Sequence, residues 1–232
     1  MNKTAIISGA SRGIGRAIAF TLSQQGYNVA LLARNQQDLQ QLEKEIGKNV
    51  KVYAIDIANE QQVNQAVADT LSAFGKIDVV INNAGAGIFK PTEEITVDDW
   101  DTIMDTNVKG TFLLTKACLP HLKAQKSGII IGVASDVSKR VFPSGSLYCA
   151  TKYAQDAYLS AVRKEVRKHG IKVSLIYPGL VDTYFHNDTE GSEKQNQWLK
   201  SQDIANAVLY ICEAPDYVVV DEFMIHPISQ EY

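Results

Sequence analysis

The chain of 232 residues alternates short apolar runs with longer amphipathic segments along its whole length. Several short runs are apolar at successive positions, which is typical of parallel strands covered on both faces. This alternation predicts a single doubly wound α/β (Rossmann) domain, with a parallel seven-stranded sheet, helices on both faces and right-handed crossovers. The predicted strands are Thr4–Ser8, Asn28–Ala33, Val50–Ile55, Val79–Asn82, Ile129–Ala134, Lys172–Tyr177 and Val218–Met224. The predicted helices are Gly13–Gln25, Gln36–Ile46, Glu60–Phe74, Val97–Ala124, Ser146–His169 and Asp203–Glu213.

Neither a linker nor an internal repeat interrupts this pattern, so we expect residues 1–232 to form one large domain. Residues 184–200 are polar and lack a clear period. They predict either a substrate flap or a solvated loop with a short helix.

Composition argues against several classes of protein. A net charge of −3, with acids and bases mixed along the chain, disfavours a nucleic-acid binder driven by bulk charge. No run approaches the roughly 18 apolar residues of a membrane-spanning helix, and the first residues leave no room for a signal peptide. Cys118, Cys149 and Cys212 are isolated, which favours buried thiols over a metal or redox site. We therefore expect a cytoplasmic protein without a metal, a membrane or a nucleic acid as partner.

A glycine-rich turn closes the first predicted strand and opens the first predicted helix. Its sequence is Ser8-Gly9-Ala10-Ser11-Arg12-Gly13-Ile14-Gly15. Glycines let the backbone turn tightly and approach a pyrophosphate, and the helix amino terminus then offers free N–H groups to the anion. The spacing differs from Gly-x-Gly-x-x-Gly, and glycines here can also be structural punctuation alone. The position of the turn in a doubly wound pattern favours dinucleotide binding.

The end of the second strand bears on which dinucleotide is bound. Binding of NAD usually places an acid there, whereas an arginine suits the 2′-phosphate of NADP. This strand ends Leu32-Ala33-Arg34 without an acid, and Arg12 adds a second positive charge from the glycine turn. Either arginine alone could be merely solvated, but together they favour NADP.

Tyr148 and Lys152 lie four residues apart, thirteen residues after Ser135. On a helix this spacing puts the phenol and the amine on one face, one turn apart. The ammonium would then favour the phenolate and lower the tyrosine pKa toward neutrality. Such pairs also occur by accident on many helices, so the spacing alone predicts little.

Taken in order, these motifs resemble the short-chain dehydrogenase/reductase family from the first strand to Thr183. The glycine turn is similar to the family's Thr-Gly-x-x-x-Gly-x-Gly motif, with Ser8 in place of the threonine. Asn82-Asn83-Ala84-Gly85 matches the family's Asn-Asn-Ala-Gly motif, and Asn107 matches its helix asparagine. The resemblance implies that the cofactor is bound by Gly9, Ser11, Arg12, Gly13, Ile14, Gly15, Arg34, Asp56, Ile57, Asn83, Ala84, Gly85, Tyr148, Lys152, Pro178, Gly179, Val181 and Thr183.

The resemblance also implies a catalytic tetrad of Asn107, Ser135, Tyr148 and Lys152. A nicotinamide exchanges hydride with a carbonyl carbon, and Tyr148 gives or takes the proton on the oxygen. Ser135 stabilises the developing negative charge, and Lys152 tunes Tyr148 and holds the nicotinamide ribose. Asn107 is expected to hold a water that relays protons from Lys152. Taken singly, a solvated lysine, a helix-interior asparagine and a surface serine would each be ordinary.

The expected substrate is a small apolar carbonyl compound or its alcohol. Loops near the expected pocket carry Ile88, Phe89, Val141, Phe142, Leu147, Tyr184 and Phe185, although core packing explains any one of them equally well. Asp136 would disfavour an anionic group close to the carbonyl. Lys139 and Arg140 could attract an acidic carrier or a phosphorylated substrate, but a solvated loop is the simpler role for both.

The carboxyl-terminal segment departs from one branch of the family. Val218–Pro227 lacks the glycines typical of reductases that act on carrier-bound acyl chains, and it looks more like reductases of small ketones and 3-hydroxy acids. A 3-oxoacyl-carrier reductase and a non-catalytic NADP sensor are the alternatives.

The resemblance also implies a homodimer or homotetramer. Ala150, Ala154, Ala157 and Ala161 suit either close helix contact between subunits or packing on the sheet.

Overall fold

A seven-stranded parallel sheet forms the centre of the computed structural model, which describes residues 2–186, 191, 192 and 196–231. The strand order is β3-β2-β1-β4-β5-β6-β9. The strands are β1 (Thr4–Ser8), β2 (Asn28–Ala33), β3 (Val50–Ala54), β4 (Val79–Asn82), β5 (Gly128–Val133), β6 (Ile171–Pro178) and β9 (Glu222–Ile225). Strands β7 (Val181–Asp182) and β8 (Leu199–Lys200) form a separate short ribbon. The order reverses between β1 and β4, which is where doubly wound sheets open a crevice.

Helices cover both faces of the sheet, which confirms the predicted fold class. The helices are α1 (Gly13–Gln24), α2 (Gln36–Ile46), α3 (Glu60–Phe74), α4 (Val97–Met104), α5 (Gly110–Gln125), α6 (Ser146–Val166) and α7 (Ser201–Glu213). Successive side chains of a strand point to opposite faces, so Ile7 packs with α1, α2 and α7, whereas Ile6 packs with α3, α5 and α6. Each strand therefore needs apolar residues at successive positions, as its sequence has.

The long predicted helix Val97–Ala124 is interrupted in the structure. A π-helical turn over Asp105–Lys109 separates α4 from α5 and contains Asn107. The extra residue in this turn brings the Asn107 side chain against Ala86, with hydrogen bonds to both its N–H (2.8 Å) and its carbonyl oxygen (2.9 Å). Such turns are frequent at functional sites.

The predicted strand Val218–Met224 was placed too early. Only Glu222–Ile225 pairs with β6, and Glu222 lies opposite Leu175. Val218 instead closes a turn, because its N–H donates to the carbonyl oxygen of Pro215 (2.8 Å). At this edge of the sheet, register with β6 sets the strand bounds, and the apolar run does not.

The predicted flap at residues 184–200 is described only in part, because 187–190 and 193–195 lie outside the described residues. Its beginning forms a short turn at Tyr184–His186, and its end forms β8. No helix in the described ranges is long and apolar enough to cross a bilayer.

Candidate active site

The carboxyl ends of the central strands open onto a cleft of about 890 Å³. All the residues predicted to bind the cofactor line this cleft, and so do Ser135, Tyr148 and Lys152. Asn107 does not line it but is fully buried behind the wall. The structure therefore brings the separate sequence motifs together at one place.

The glycine turn and the Asn-Asn-Ala-Gly loop form one hydrogen-bonded unit. The Ser8 hydroxyl donates to the carbonyl oxygen of Ile81 (3.2 Å) and accepts from the N–H groups of Asn83 and Ala84 (3.0 Å each). The Asn83 side-chain amide in turn donates to the carbonyl oxygens of Ser8 (3.0 Å) and Gly9 (3.1 Å). Serine thus supplies here the hydroxyl that the family's threonine carries.

Two glycines of the turn are required by close backbone approach. A Cβ on Gly15 would lie 2.2 Å from the carbonyl oxygen of Gly9. Gly9 itself has a φ of +65°, and a Cβ there would lie 2.8 Å from the Cα of Ala84. Arg12 precedes α1 without a side-chain cap, and the first turn of α1 contains no acid. A backbone cradle with a bare helix amino terminus fits the pyrophosphate of a dinucleotide.

Charged side chains surround the outer end of the cleft. Arg12 and Arg34 are exposed on its wall, and the Arg12 guanidinium lies 5.9 Å from the centre of the Tyr184 ring. Asp38 in the first turn of α2 also lines this end, although no sequence motif indicated it. Asp56 holds its own loop, because its carboxylate accepts from the N–H of Ala58 (2.9 Å).

The inner end of the cleft holds the three predicted catalytic side chains. Ser135 follows β5, and Tyr148 and Lys152 lie one turn apart on α6. The Lys152 amine donates to the carbonyl oxygen of Val133 (3.2 Å) and lies 5.7 Å from the centre of the Tyr148 ring. Ser138 ties the serine loop to α6, because its hydroxyl donates to the carbonyl oxygen of Lys152 (3.0 Å).

Burial controls the ionisation of this pair. It lowers the pKa of Lys152 to about 7, because desolvation disfavours the charged amine. Burial also raises the pKa of Tyr148, an effect that a hydrogen bond with Ser135 partly offsets. The Tyr148 pKa therefore lies in the opposite direction from the expected lowering by Lys152, because desolvation by burial is its largest influence.

The Asn107 side chain links three elements around the site. Its amide donates to the carbonyl oxygen of Ala86 (2.9 Å) and to the hydroxyl of Thr151 (3.0 Å). The Thr151 hydroxyl donates to the carbonyl oxygen of Tyr148 (2.8 Å). Asn107 thus fixes the catalytic turn of α6 against the loop after β4.

Two phenylalanine rings contact Tyr148, and a third packs on one of them. Phe89 and Phe185 lie 5.4 Å and 5.3 Å from its ring, centre to centre, and Phe142 lies 5.9 Å from Phe89. Each comes from a different loop, and all three line the cleft together with Val141 and Tyr184. Ile88 and Leu147, also predicted for the pocket, do not line it, and Leu147 is buried in the core instead.

The charged residues beside Ser135 are all in ion pairs, which the sequence did not indicate. Asp136 is buried and paired with Arg140, so its negative charge is balanced. Lys139 bonds Asp156 (2.9 Å) and Glu222 (3.4 Å). The loop is exposed at Lys139, as predicted for a solvated loop, but both of its cations are paired. A residue that sequence reasoning missed, Gln230, donates to Asp136 (2.7 Å), and no motif near the chain's end signalled this contact.

The family model for the short chain dehydrogenases matches residues 3–194. The chain belongs to the short-chain dehydrogenase family. An uncharacterised oxidoreductase of Staphylococcus epidermidis is 37% identical over 226 residues, which are 97% of each chain. Among the residues described for this short-chain dehydrogenase, no group of three or more His, Cys, Asp and Glu side chains could hold a metal ion.

Two solved structures are similar to this short-chain dehydrogenase over nearly their full lengths. An alcohol dehydrogenase of the archaeon Thermococcus sibiricus, complexed with 5-hydroxy-NADP, is 35% identical with a TM-score of 0.92 and covers 100% of this chain and 99% of its own. The closed form of serine dehydrogenase, complexed with NADP⁺, is 29% identical with a TM-score of 0.93 and covers 99% and 96%. The family relation supports an oxidoreductase that binds a nicotinamide dinucleotide and acts on CH–OH groups.

Proposed function

We propose that this protein is an NADP-dependent carbonyl reductase that also works in reverse as an alcohol dehydrogenase. The observation that carries the proposal is the convergence of Ser135, Tyr148 and Lys152 beside the glycine turn, in one cleft. The protein's own residues fit the dinucleotide, because the close approach of Gly9 and Gly15 leaves a backbone cradle at the amino terminus of α1. When bound, NADP(H) supplies or accepts the hydride.

In the proposed reaction, each catalytic residue handles charge or a proton on the substrate oxygen. During reduction, Tyr148 donates its phenolic proton to the developing alkoxide, and during oxidation it accepts the proton back. The Ser135 hydroxyl donates a hydrogen bond to the same oxygen and stabilises its charge. Lys152, whose pKa is about 7, can return a proton toward Tyr148 and bond the nicotinamide ribose. Asn107 holds α6 in place through Thr151, and its expected role of holding a water that relays protons from Lys152 stays a prediction.

Two arginines at the outer end of the cleft support NADP over NAD. Arg12 and Arg34 are both exposed there, and arginine forks suit a 2′-phosphate. The two neighbouring structures contain NADP or a derivative of it, while the family as a whole also uses NAD. Arg34→Asp should therefore reverse the preference. If kcat/KM with NADH exceeds that with NADPH in the wild type, the cofactor assignment fails.

The inner end of the cleft supports a neutral, apolar substrate. Phe89, Phe142 and Phe185 supply its walls, and the charge of Arg140 is already balanced by Asp136. An acid would therefore find no uncompensated cation at this loop. A carrier-bound 3-oxoacyl chain and a non-catalytic NADP sensor remain alternatives, and the substrate panel below separates them from a small-ketone reductase.

The decisive experiment is a spectrophotometric panel in both directions with both cofactors. It contains acetophenone, ethyl acetoacetate, acetoacetate, serine and a 3-oxoacyl thioester. Ethyl acetoacetate and acetoacetate present the same ketone with and without a negative charge, so they test the pocket's charge directly. We expect the ester to be reduced with the higher kcat/KM. A preference for acetoacetate or the thioester would overturn the apolar substrate, and tight NADPH binding without turnover would favour the sensor.

We also propose that the protein is a homodimer or homotetramer. Ala150, Ala157 and Ala161 are exposed, so the alanine face of α6 does not pack on the sheet as one alternative suggested. Phe112 on α5 and Tyr153 on α6 are exposed beside it. Light scattering coupled to size exclusion would test this, and a monomeric mass would contradict it.

The cytoplasm stays the expected location, consistent with three free, buried cysteines.

A further inference from the structure

The end of the chain turns back into the cleft. After β9 the Gln230 N–H donates to the carbonyl oxygen of Pro227 (3.0 Å), which closes a turn. This turn returns Gln230 to the wall of the cleft. Its side-chain amide then donates to Asp136 Oδ2 (2.7 Å) and accepts from the N–H of Leu180 (2.8 Å). One amide thus joins the loop after β5 to the segment after β6.

The surroundings of this amide are shaped to receive it. A Cβ on Gly179 would lie 2.2 Å from Gln230 Oε1, so only glycine leaves the space that the amide occupies. Arg140, which pairs with Asp136, also donates to the backbone carbonyl oxygen of Glu231 (3.2 Å). Two adjacent residues of the tail are therefore fixed by the cluster beside Ser135.

Both ends of the Gln230 bridge bear on groups that the reaction must align. Ser135 Oγ donates to Asp136 Oδ1 (3.1 Å) or to the carbonyl oxygen of Pro178 (3.4 Å), so the position of Asp136 influences where the serine hydroxyl points. Leu180 belongs to the segment expected to lie over the nicotinamide. A displacement of about 1 Å between reacting groups can lower a rate about 100-fold.

We propose that Gln230 is a positioning residue, which holds the Ser135 loop and the nicotinamide segment at a fixed separation for hydride transfer. The proposal rests on the proposed function for its kinetic test. Gln230→Met keeps the length of the side chain and removes both hydrogen bonds. Its kcat with acetophenone should fall about 10- to 100-fold. The Kd for NADPH should change less than about threefold, because the glycine turn is unaltered.

A matched control lies in the same turn. Ile228 is fully exposed, and it does not line the cleft. Ile228→Ala should therefore keep wild-type kcat and KM. If Gln230→Met also keeps the wild-type kcat, the proposal is overturned.

Gln230→Glu tests the contact with Asp136 through the pH dependence of kcat, which a purely structural role of the tail would not change. At high pH the new carboxylate faces Asp136 and is repelled by it, which favours the protonated form of the new glutamate side chain. When pH falls, the protonated glutamic acid donates to Asp136 as the amide did. The ratio of kcat between this variant and the wild type should therefore rise as pH falls, while the ratio for Gln230→Met stays flat. Equal, flat ratios would contradict the proposal.

Hydrogen–deuterium exchange of the cofactor-free protein tests the bridge without turnover. In Gln230→Met, peptides spanning residues 134–140 and 178–183 should both exchange faster than in Ile228→Ala. If the wild type reduces no carbonyl compound, the proposed function fails, yet the exchange rates still decide whether Gln230 joins the two segments. Unchanged exchange in either peptide would overturn the inference whatever the activity.

Discussion

The two ends of the cleft are built by different means. At the cofactor end, two short contiguous stretches, Ser8–Gly15 and Asn82–Gly85, are joined by hydrogen bonds between the Ser8 and Asn83 side chains and the facing backbone, and Gly9 and Gly15 pack closely on backbone atoms. At the substrate end, Phe89, Phe142 and Phe185 come from three loops, and Gln230 comes from the tail. Backbone geometry tolerates few residue types, whereas many side chains can fill an apolar wall. The cofactor end is therefore marked by short sequence motifs, and the substrate end is not.

The largest expected effect separates chemistry from binding. Tyr148→Phe removes the hydroxyl that donates the proton and keeps the ring among its aromatic neighbours. We expect kcat to fall about 10²- to 10⁴-fold, since that is the usual contribution of a positioned acid or base. NADPH binding, measured by fluorescence titration, should change little, and normal turnover in this variant would refute the role of Tyr148.

A second variant should break the cofactor end alone. Gly15→Ala places a methyl group 2.2 Å from the carbonyl oxygen of Gly9, so the turn must open. We expect the Kd for NADPH to rise about 10- to 100-fold, which corresponds to about 1–3 kcal/mol of overpacking. Arg16→Ala, one residue away, removes an exposed ion pair with Glu45 and a contact with the Phe20 ring, both outside the cleft, and serves as the control. Unchanged affinity in Gly15→Ala would mean that the cradle does not hold the phosphates.

The complementary variant should weaken the substrate end alone. Phe89→Ala removes the ring that contacts Tyr148, Phe142 and Phe185. We expect kcat/KM for acetophenone to fall about tenfold, from lost apolar contact and ring packing, with unchanged Kd for NADPH. Tyr217→Ala, which removes an exposed ring elsewhere, should have no effect. An equal loss in NADPH affinity would show that the two ends are not independent.

A last prediction concerns stability and Lys152, which lies where the two ends meet. Burial lowers its pKa from 10.5 to about 7 in the folded protein. Between these values the unfolded chain binds a proton that the folded protein has released, so this group makes stability rise with pH. Lys152→Met should remove that rise. Urea midpoints at pH 6.5 and pH 9 would test this, and the difference between the variant and the wild type should change between the two values. A constant difference would contradict the shift.

The sequence predicted the cofactor end of the cleft better than the substrate end. The strand-helix alternation and the glycine turn predicted the sheet and the cofactor end, because each depends on local pattern. The pKa of Tyr148 was misjudged because a four-residue spacing contains no information on burial. Val218–Val220 was misassigned because register with β6 decides which residues pair. The contacts of Asp136 with Gln230 lie 94 residues apart in the chain, and no local pattern reports them.

The π-helical turn at Asp105–Lys109 makes the site depend on the number of residues as well as on their kinds. Each residue of an α-helix advances the side-chain direction by about 100°. Deleting Val108 would allow one continuous α-helix and would rotate either Asn107 or all of α5 by that angle. The asparagine would then lose Ala86, or α5 would turn Leu114 and Leu122 away from the sheet. The number of residues in this segment therefore affects both the packing of α5 on the sheet and the position of the catalytic turn. A one-residue deletion should be more harmful here than most substitutions.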